Sequence, residues 1–186
     1  MNTLRKKRIQ SLRAGIARPL LVINQKNDKI LITIEYTNLY PALSYTEDKL
    51  NKFFQRIFLI HENMSNGVLS VAFLNKAEHS KLHGDFLQDY RPTDVITFPA
   101  DPENEMVGEI CVSVDQAIEE AESRDLTLEK ELSLYLIHGW LHLVGFDDRN
   151  DTDRKNMRVE EANALSIVEK DLLWPNFLLA HQSFEV

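Results

Sequence analysis

His138 and His142 stand four residues apart in the run His138-Gly139-Trp140-Leu141-His142-Leu143-Val144-Gly145-Phe146-Asp147-Asp148. Four residues of α-helix turn about 400°, so both imidazoles leave one face and can share an ion. Gly145 permits the left-handed backbone that ends a helix and reverses the chain. The reversal can return Asp148, six residues after His142, to that ion; Asp147 is an alternative with poorer spacing. Two imidazole nitrogens and one carboxylate oxygen leave a tetrahedral ion with one position open, the catalytic rather than the structural arrangement of zinc. A water at such a position becomes acidic near neutral pH. One Zn2+ per chain is the expectation, with Mn2+ or another divalent ion able to replace it. Two histidines at this spacing on an apolar helix can also be satisfied core residues. Gly145 and Asp148 at helix-reversal spacing shift the balance to ligation.

The reaction is narrowed by what is missing. Zinc peptidases carry His-Glu-x-x-His, with the glutamate as general base. Position 139 here is glycine, so the helical geometry survives without that base. A bond that needs a Lewis acid and an activated water more than a carboxylate base, such as a phosphodiester, fits better.

These residues need a helix of some length, and the pattern supplies one: Asp125 or Thr127 can cap a helix running to about Leu143. Strands are expected on either side of a turn at Asn27-Asp28, over the segment 20–35, and at Gly67–Leu74 and Gly108–Val114. Val95 to Phe98 is bracketed by Pro92 and Pro99, and proline lacks an amide proton, so an edge strand is expected there. Helices are expected over 46–62, 76–87 (weakened by Gly84), 115–123 and, as an amphipathic last element, 151–173. Strands and helices mix without strict alternation, which points to an α+β fold: a small mixed sheet packed with helices, the metal site on a central helix.

Residues 1–18 carry Arg5, Lys6, Lys7, Arg8, Arg13 and Arg18 and no acid, so a net charge of −8 conceals +6 there and −14 on the rest. The acidic body argues against broad nucleic-acid binding. The basic arm reads first as a flexible, solvated tail, then as a phosphate-touching arm or a transit peptide. The expected organisation is thus an arm at 1–18, one domain over 19–175 and a tail at 176–186. No apolar run approaches the ~20 residues of a membrane span. The single cysteine, Cys111, excludes an internal disulfide and fits a reducing, intracellular setting.

The chain resembles a known family at three separated places. The His138–Asp148 run is similar to the signature His-Gly-x-Leu-His-Leu-x-Gly-(Tyr/Phe)-Asp-(His/Asp) of the YbeY family of single-strand-specific metallo-endoribonucleases. Pro92-Thr93-Asp94-Val95-Ile96-Thr97-Phe98-Pro99 and Gly108-Glu109-Ile110-Cys111-Val112-Ser113 resemble its two preceding strands, in the same order. The resemblance spans about residues 45–165. It implies a single-domain α+β fold, zinc-dependent cleavage of single-stranded RNA, maturation of the 3′ end of small-subunit (16S) ribosomal RNA, and ribosome quality control in the cytoplasm with the small subunit and its proteins as partners. Two positions depart from the family. Asp148 stands where a third histidine is usual; a hard oxygen donor holds zinc less selectively and accepts Mn2+ more readily. Leu87 stands where an arginine associated with the phosphate is usual, and Arg91, directly before Pro92, is the shifted candidate for that contact.

Among the remaining residues, Asp94 reads as a turn cap ahead of a ligand-orienting group, and Glu131 and Tyr135 share the helical face of His138, either as supporting groups or as residues that burial or exposure alone explains. His79 and His83 repeat the four-residue spacing without a reversal after them and read as exposed and inert. Cys111 and Trp140 read as core. Two functions compete with the ribonuclease: a metallohydrolase of another substrate, such as a peptidase or amidase, and a ribosome-assembly binding factor whose metal is structural.

Overall fold

The computed structural model describes residues 18–23, 29–60, 65–101, 103 and 105–180. Alternating apolar residues build its main sheet. β1 (Arg18–Ile23), β2 (Lys29–Asn38), β4 (Gly67–Leu74), β5 (Val95–Asp101) and β6 (Met106–Ser113) lie in the order β1-β2-β4-β6-β5. β2, β4 and β6 are parallel, while β1 and β5 run antiparallel at the two edges. On β4, Leu69, Val71 and Phe73 face one core, and Ala72 and Leu74 face a second. That is the period-two alternation of a strand covered on both faces. Two short strands, β3 (Leu43–Ser44) and β7 (Leu178–Leu179), pair separately.

Five helices are present among the described residues: α1 (Glu47–Phe58), α2 (Lys76–Leu87), α3 (Val114–Ser123), α4 (Leu128–Leu143) and α5 (Asp151–Lys170). The fold is α+β, as the mixed pattern of elements predicts. α1 buries Leu50, Phe53, Phe54 and Ile57, one stripe at helical spacing. α4 is the central helix, with Leu132, Leu136 and Trp140 fully buried in the larger core beside Met157, Ala164 and Val168 of α5. α2 covers the opposite face through Leu82 and Phe86, against Ala72, Ile96, Phe98 and Cys111.

Local chemistry explains the element ends. Asn75, Ser113, Thr127 and Asn150 accept backbone N–H groups at the starts of α2, α3, α4 and α5. Of the two caps expected for α4, Thr127 is the one used. β5 is an edge strand, as its prolines require, and it runs through Pro99 to Asp101. Gly84 lies inside α2 because Tyr90 packs on it: a Cβ there would meet the tyrosine ring at 2.1 Å.

The basic arm, apart from Arg18 at the start of β1, lies outside the described residues, as does the Asn27-Asp28 turn; Ile23 and Lys29 on either side of it are paired. Beyond residue 175 the chain contributes to the core through buried Phe177, which meets Tyr45 and Phe73 edge-on. No helix among the described residues is long and apolar enough to cross a membrane.

Candidate metal centre

α4 carries both histidines on the face turned to α5, and the turn after it brings the third group back. Gly145 adopts φ +103°, a conformation that L side chains rarely reach. The amide of Phe146 closes on Leu141 O at 3.0 Å, and Phe146 O then meets His142 Nδ1 at 3.1 Å. Four residues after Phe146 the Asn150 cap starts α5, so Asp148 is held between two fixed helix ends.

The three groups converge. His138, His142 and Asp148 each offer one donor atom within 4.8 Å of the others, the one such group among the described residues. His138 Nε2 and His142 Nε2 are 3.0 Å apart, and Asp148 Oδ2 is 3.8 Å from His138 Nε2. Asp147, the alternative ligand, instead accepts the Asp148 amide at 2.8 Å and pairs with Arg149 at 3.3 Å.

The hydrogen bonds decide what the two imidazoles present to each other. Phe146 O is only an acceptor, so His142 Nδ1 must carry the proton. His138 Nδ1 lies 2.6 Å from Glu161 Oε1 and donates to that carboxylate. With both rings neutral, each Nε2 therefore holds a lone pair, and the two face each other at 3.0 Å. Two lone pairs at that distance repel unless a proton or a metal cation lies between them. Two nitrogens on one tetrahedral zinc stand about 3.3 Å apart. The donor set thus fits a divalent ion, and both supporting bonds are of the kind that orient ligating histidines. Burial lowers the pKa of His138, but the Glu161 hydrogen bond and the charges of Asp94, Glu161 and Asp148 outweigh it and raise the value above the ordinary one. The same negative surroundings favour a metal cation.

His138 and Asp148 open onto a cavity of about 350 Å³ between α3, α4, α5 and the Pro92–Asp94 segment. Five carboxylates line it (Asp94, Glu120, Glu131, Asp148 and Glu161) together with three arginines, Arg124, Arg154 and Arg158. Asp94 accepts from the Thr93 hydroxyl at 3.0 Å and the Val95 amide at 2.9 Å, which is the expected turn role, and its charge also reaches His138. Glu131 and Tyr135 line the cavity with His138; Glu131 holds Arg124 at 3.2 Å.

Several expectations change. Arg91 does not line the cavity: its side chain is 86% exposed and forks onto Asp89, with Nη2–Oδ2 at 2.6 Å. His79 is not exposed but buried, bonded to Cys111 O at 3.0 Å, and burial holds its pKa below the ordinary imidazole value. His83 instead bonds Arg91 O at 3.1 Å. Trp140 and Cys111 are core, as expected. Gly139 has a packing reason of its own: a Cβ there would lie 2.7 Å from Ile110 Cγ2 and 3.1 Å from Val95 Cγ2. Position 139 faces the sheet, so a glutamate there would be driven into the core rather than toward the histidines.

Glu161 and the three cavity arginines went unread in the sequence. Glu161 is 23 residues from His138, and no local spacing links them. Arg154, Arg158 and Glu161 do recur at i, i+4 and i+7, a polar stripe that shows on a helical projection but does not say what it faces.

The family model described as Endoribonuclease YbeY matches residues 35–169. Endoribonuclease YbeY of Protochlamydia amoebophila is 31% identical over 155 residues, 81% of this chain and 95% of that protein. Its counterpart in Carboxydothermus hydrogenoformans is 31% identical over 135 residues, 71% and 94% of the two chains. A Thermotoga maritima protein of known solution structure is 29% identical and covers 68% of this chain and 80% of its own, with a TM-score of 0.47. The family match spans both histidines, Asp148 and Glu161, and with it this chain belongs to the YbeY endoribonuclease family.

Proposed function

We propose that this chain is a zinc-dependent endoribonuclease of single-stranded RNA, with His138, His142 and Asp148 as the metal ligands. The observation that carries the reading is the pair of Nε2 atoms 3.0 Å apart beside Asp148, each ring's Nδ1 already engaged, at a cavity that also holds arginines. A structural zinc site is closed by four protein donors. Three converge here among the described residues, and Asp148 is 43% exposed on its side chain, which supports a site with an open position.

When bound, a divalent ion supplies Lewis acidity to a phosphate oxygen and acidifies a water. The rest is the work of the chain. The neutral rings of His138 and His142 present their Nε2 lone pairs because Nδ1–H of each donates a hydrogen bond, to Glu161 and to Phe146 O respectively. Buried α4 holds those rings in place, and the Gly145 turn sets Asp148 against them. A cavity of about 350 Å³ suits a flexible single strand better than a stacked duplex. The packing of Gly139 against Ile110 leaves no room for a peptidase base, which favours the phosphodiester over the peptide.

The cellular role we propose is the family's: maturation of the 3′ end of 16S ribosomal RNA and quality control of the small subunit, in the cytoplasm. The test is cleavage of single-stranded and duplex RNA by the full chain, with and without chelator, beside His138→Ala. Loss of single-strand cleavage in both arms is the expected result. Activity unchanged by chelator and by the substitution refutes the proposal, and small-subunit binding by an inactive wild type would assign the chain to the assembly-factor class instead.

A further inference from the structure

The cavity is poorly matched to a phosphate unless one of its cations is free. A divalent ion at the triad would be met by two carboxylates, Asp148 as a donor and Glu161 through His138. An incoming phosphodiester therefore needs positive charge from elsewhere in the cavity. We propose that Arg158 provides it, as the side chain that contacts the RNA phosphate beside the metal ligands.

Two observations point to this residue. The first is position. Arg154, Arg158 and Glu161 form one stripe along α5, and both ends of the stripe are anchored to the triad. Glu161 bonds His138 Nδ1 at 2.6 Å, and Arg154 Nη1 donates to Asp148 O at 3.0 Å. Arg158 lies between the anchors, on the same cavity wall. The second is availability. Arg124 is already held by Glu120 at 2.8 Å and Glu131 at 3.2 Å. Arg154 is paired with Asp151, and Arg91 with Asp89. Arg158 makes no hydrogen bond or ion pair with any described residue, so its five donors are open to a ligand. A planar guanidinium suits two phosphate oxygens at once. Met157, buried beside it, fixes which way this face of α5 turns.

The inference rests on the endoribonuclease reading, and its test separates the two. The binding probe is a short 2′-O-methylated single-stranded RNA, which keeps the phosphodiesters and resists cleavage; its affinity for the full chain is followed by fluorescence anisotropy across a salt series. Arg158→Met is expected to weaken binding by about tenfold to a hundredfold, the range for a charge-assisted hydrogen bond. The slope of log affinity against log salt should fall by about 0.7, the value for one phosphate contact on a single strand. Arg158→Lys should recover part of the loss. Lys155→Met removes the same charge from the same helix outside the cavity and should leave both quantities unchanged. Wild-type binding and salt slope in Arg158→Met overturn the proposal, as does a loss found in Arg91→Met instead. If the loss is seen but the wild type cleaves no RNA, the phosphate contact stands and the endoribonuclease reading falls.

Discussion

Replacing Glu161 should weaken metal binding without unfolding the protein, and the size of the loss follows from the hydrogen bond it makes. The carboxylate lies 2.6 Å from His138 Nδ1, and the two side chains are 16% and 14% exposed, so the bond is short, charged and mostly out of water. It fixes the tautomer that leaves Nε2 free, and it raises the basicity of that nitrogen. Removing such a partner typically costs 10–100-fold in metal affinity, or about 1.4–2.8 kcal/mol at 1.4 kcal/mol per decade. Glu161→Gln keeps an acceptor and removes the charge, so a loss of about tenfold is expected. Glu161→Ala removes both and frees the ring to turn, which should bring the loss to about a hundredfold. The assay is competition with a chromophoric chelator for Zn2+ and for Mn2+, with the melting temperature of the metal-free proteins measured alongside. Wild-type affinity in Glu161→Ala would refute the reasoning. So would equal losses in both variants accompanied by a large drop in melting temperature, since the effect would then belong to the fold.

Three further predictions follow from the same geometry. Asp148→His should raise the preference for Zn2+ over Mn2+, because an imidazole replaces a hard oxygen donor; equal selectivity in the two proteins, by competition with both ions, counts against Asp148 as the third ligand. Gly139→Glu should destabilise the fold by at least about 1–3 kcal/mol, the usual cost of overpacking, since even its Cβ meets Ile110 at 2.7 Å; denaturant titration measures the loss, and a stable variant that hydrolyses peptides would contradict the packing argument. Burial raises the pKa of Glu131 above its ordinary 4.5, opposed by Arg124 and assisted by Glu120 and Asp94. A raised carboxyl pKa means that the folded state binds the proton more tightly, so stability is lost as pH climbs from 4.5 through the raised value. Glu131→Gln should remove that loss, raising the melting temperature at pH 7 relative to wild type more than it does at pH 4; the same difference at both values would show that the carboxyl does not titrate in this way.

Much of the fold was legible because local patterns and tertiary packing agree in this chain. The stripe Leu50, Phe53, Phe54 and Ile57 reads as a helix because those residues are a buried face, and Gly67–Leu74 reads as a strand because its apolar residues serve two cores. The prolines around Val95–Phe98 announce an edge, since a residue without an amide proton cannot sit between two paired strands. Expectations failed where a neighbour far along the chain decided the outcome. His79 reads as exposed on its own helix, yet it is buried against the strand that carries Cys111. Gly84 reads as a weakness in α2 and is instead a seat for Tyr90.

The candidate centre divides in the same way. His138, His142, Gly145 and Asp148 could be assembled from sequence alone, because helical spacing and one left-handed turn are local geometry confined to eleven residues. The missing glutamate at position 139 was equally visible there, but only packing shows that the position faces Ile110 and has no room for one. Glu161, Arg154 and Arg158 come from a separate helix, and no spacing rule connects them to the histidines. The docking of α5 on α4, driven by burial of Met157, Ala164 and Val168 beside Leu136 and Trp140, turns that stripe toward the triad. The sequence by itself therefore determined which atoms can hold an ion, since ligand spacing is a property of the local backbone. Tertiary structure decided which carboxylate orients His138 and which arginine is left unpaired beside it, because both depend on which helix faces meet.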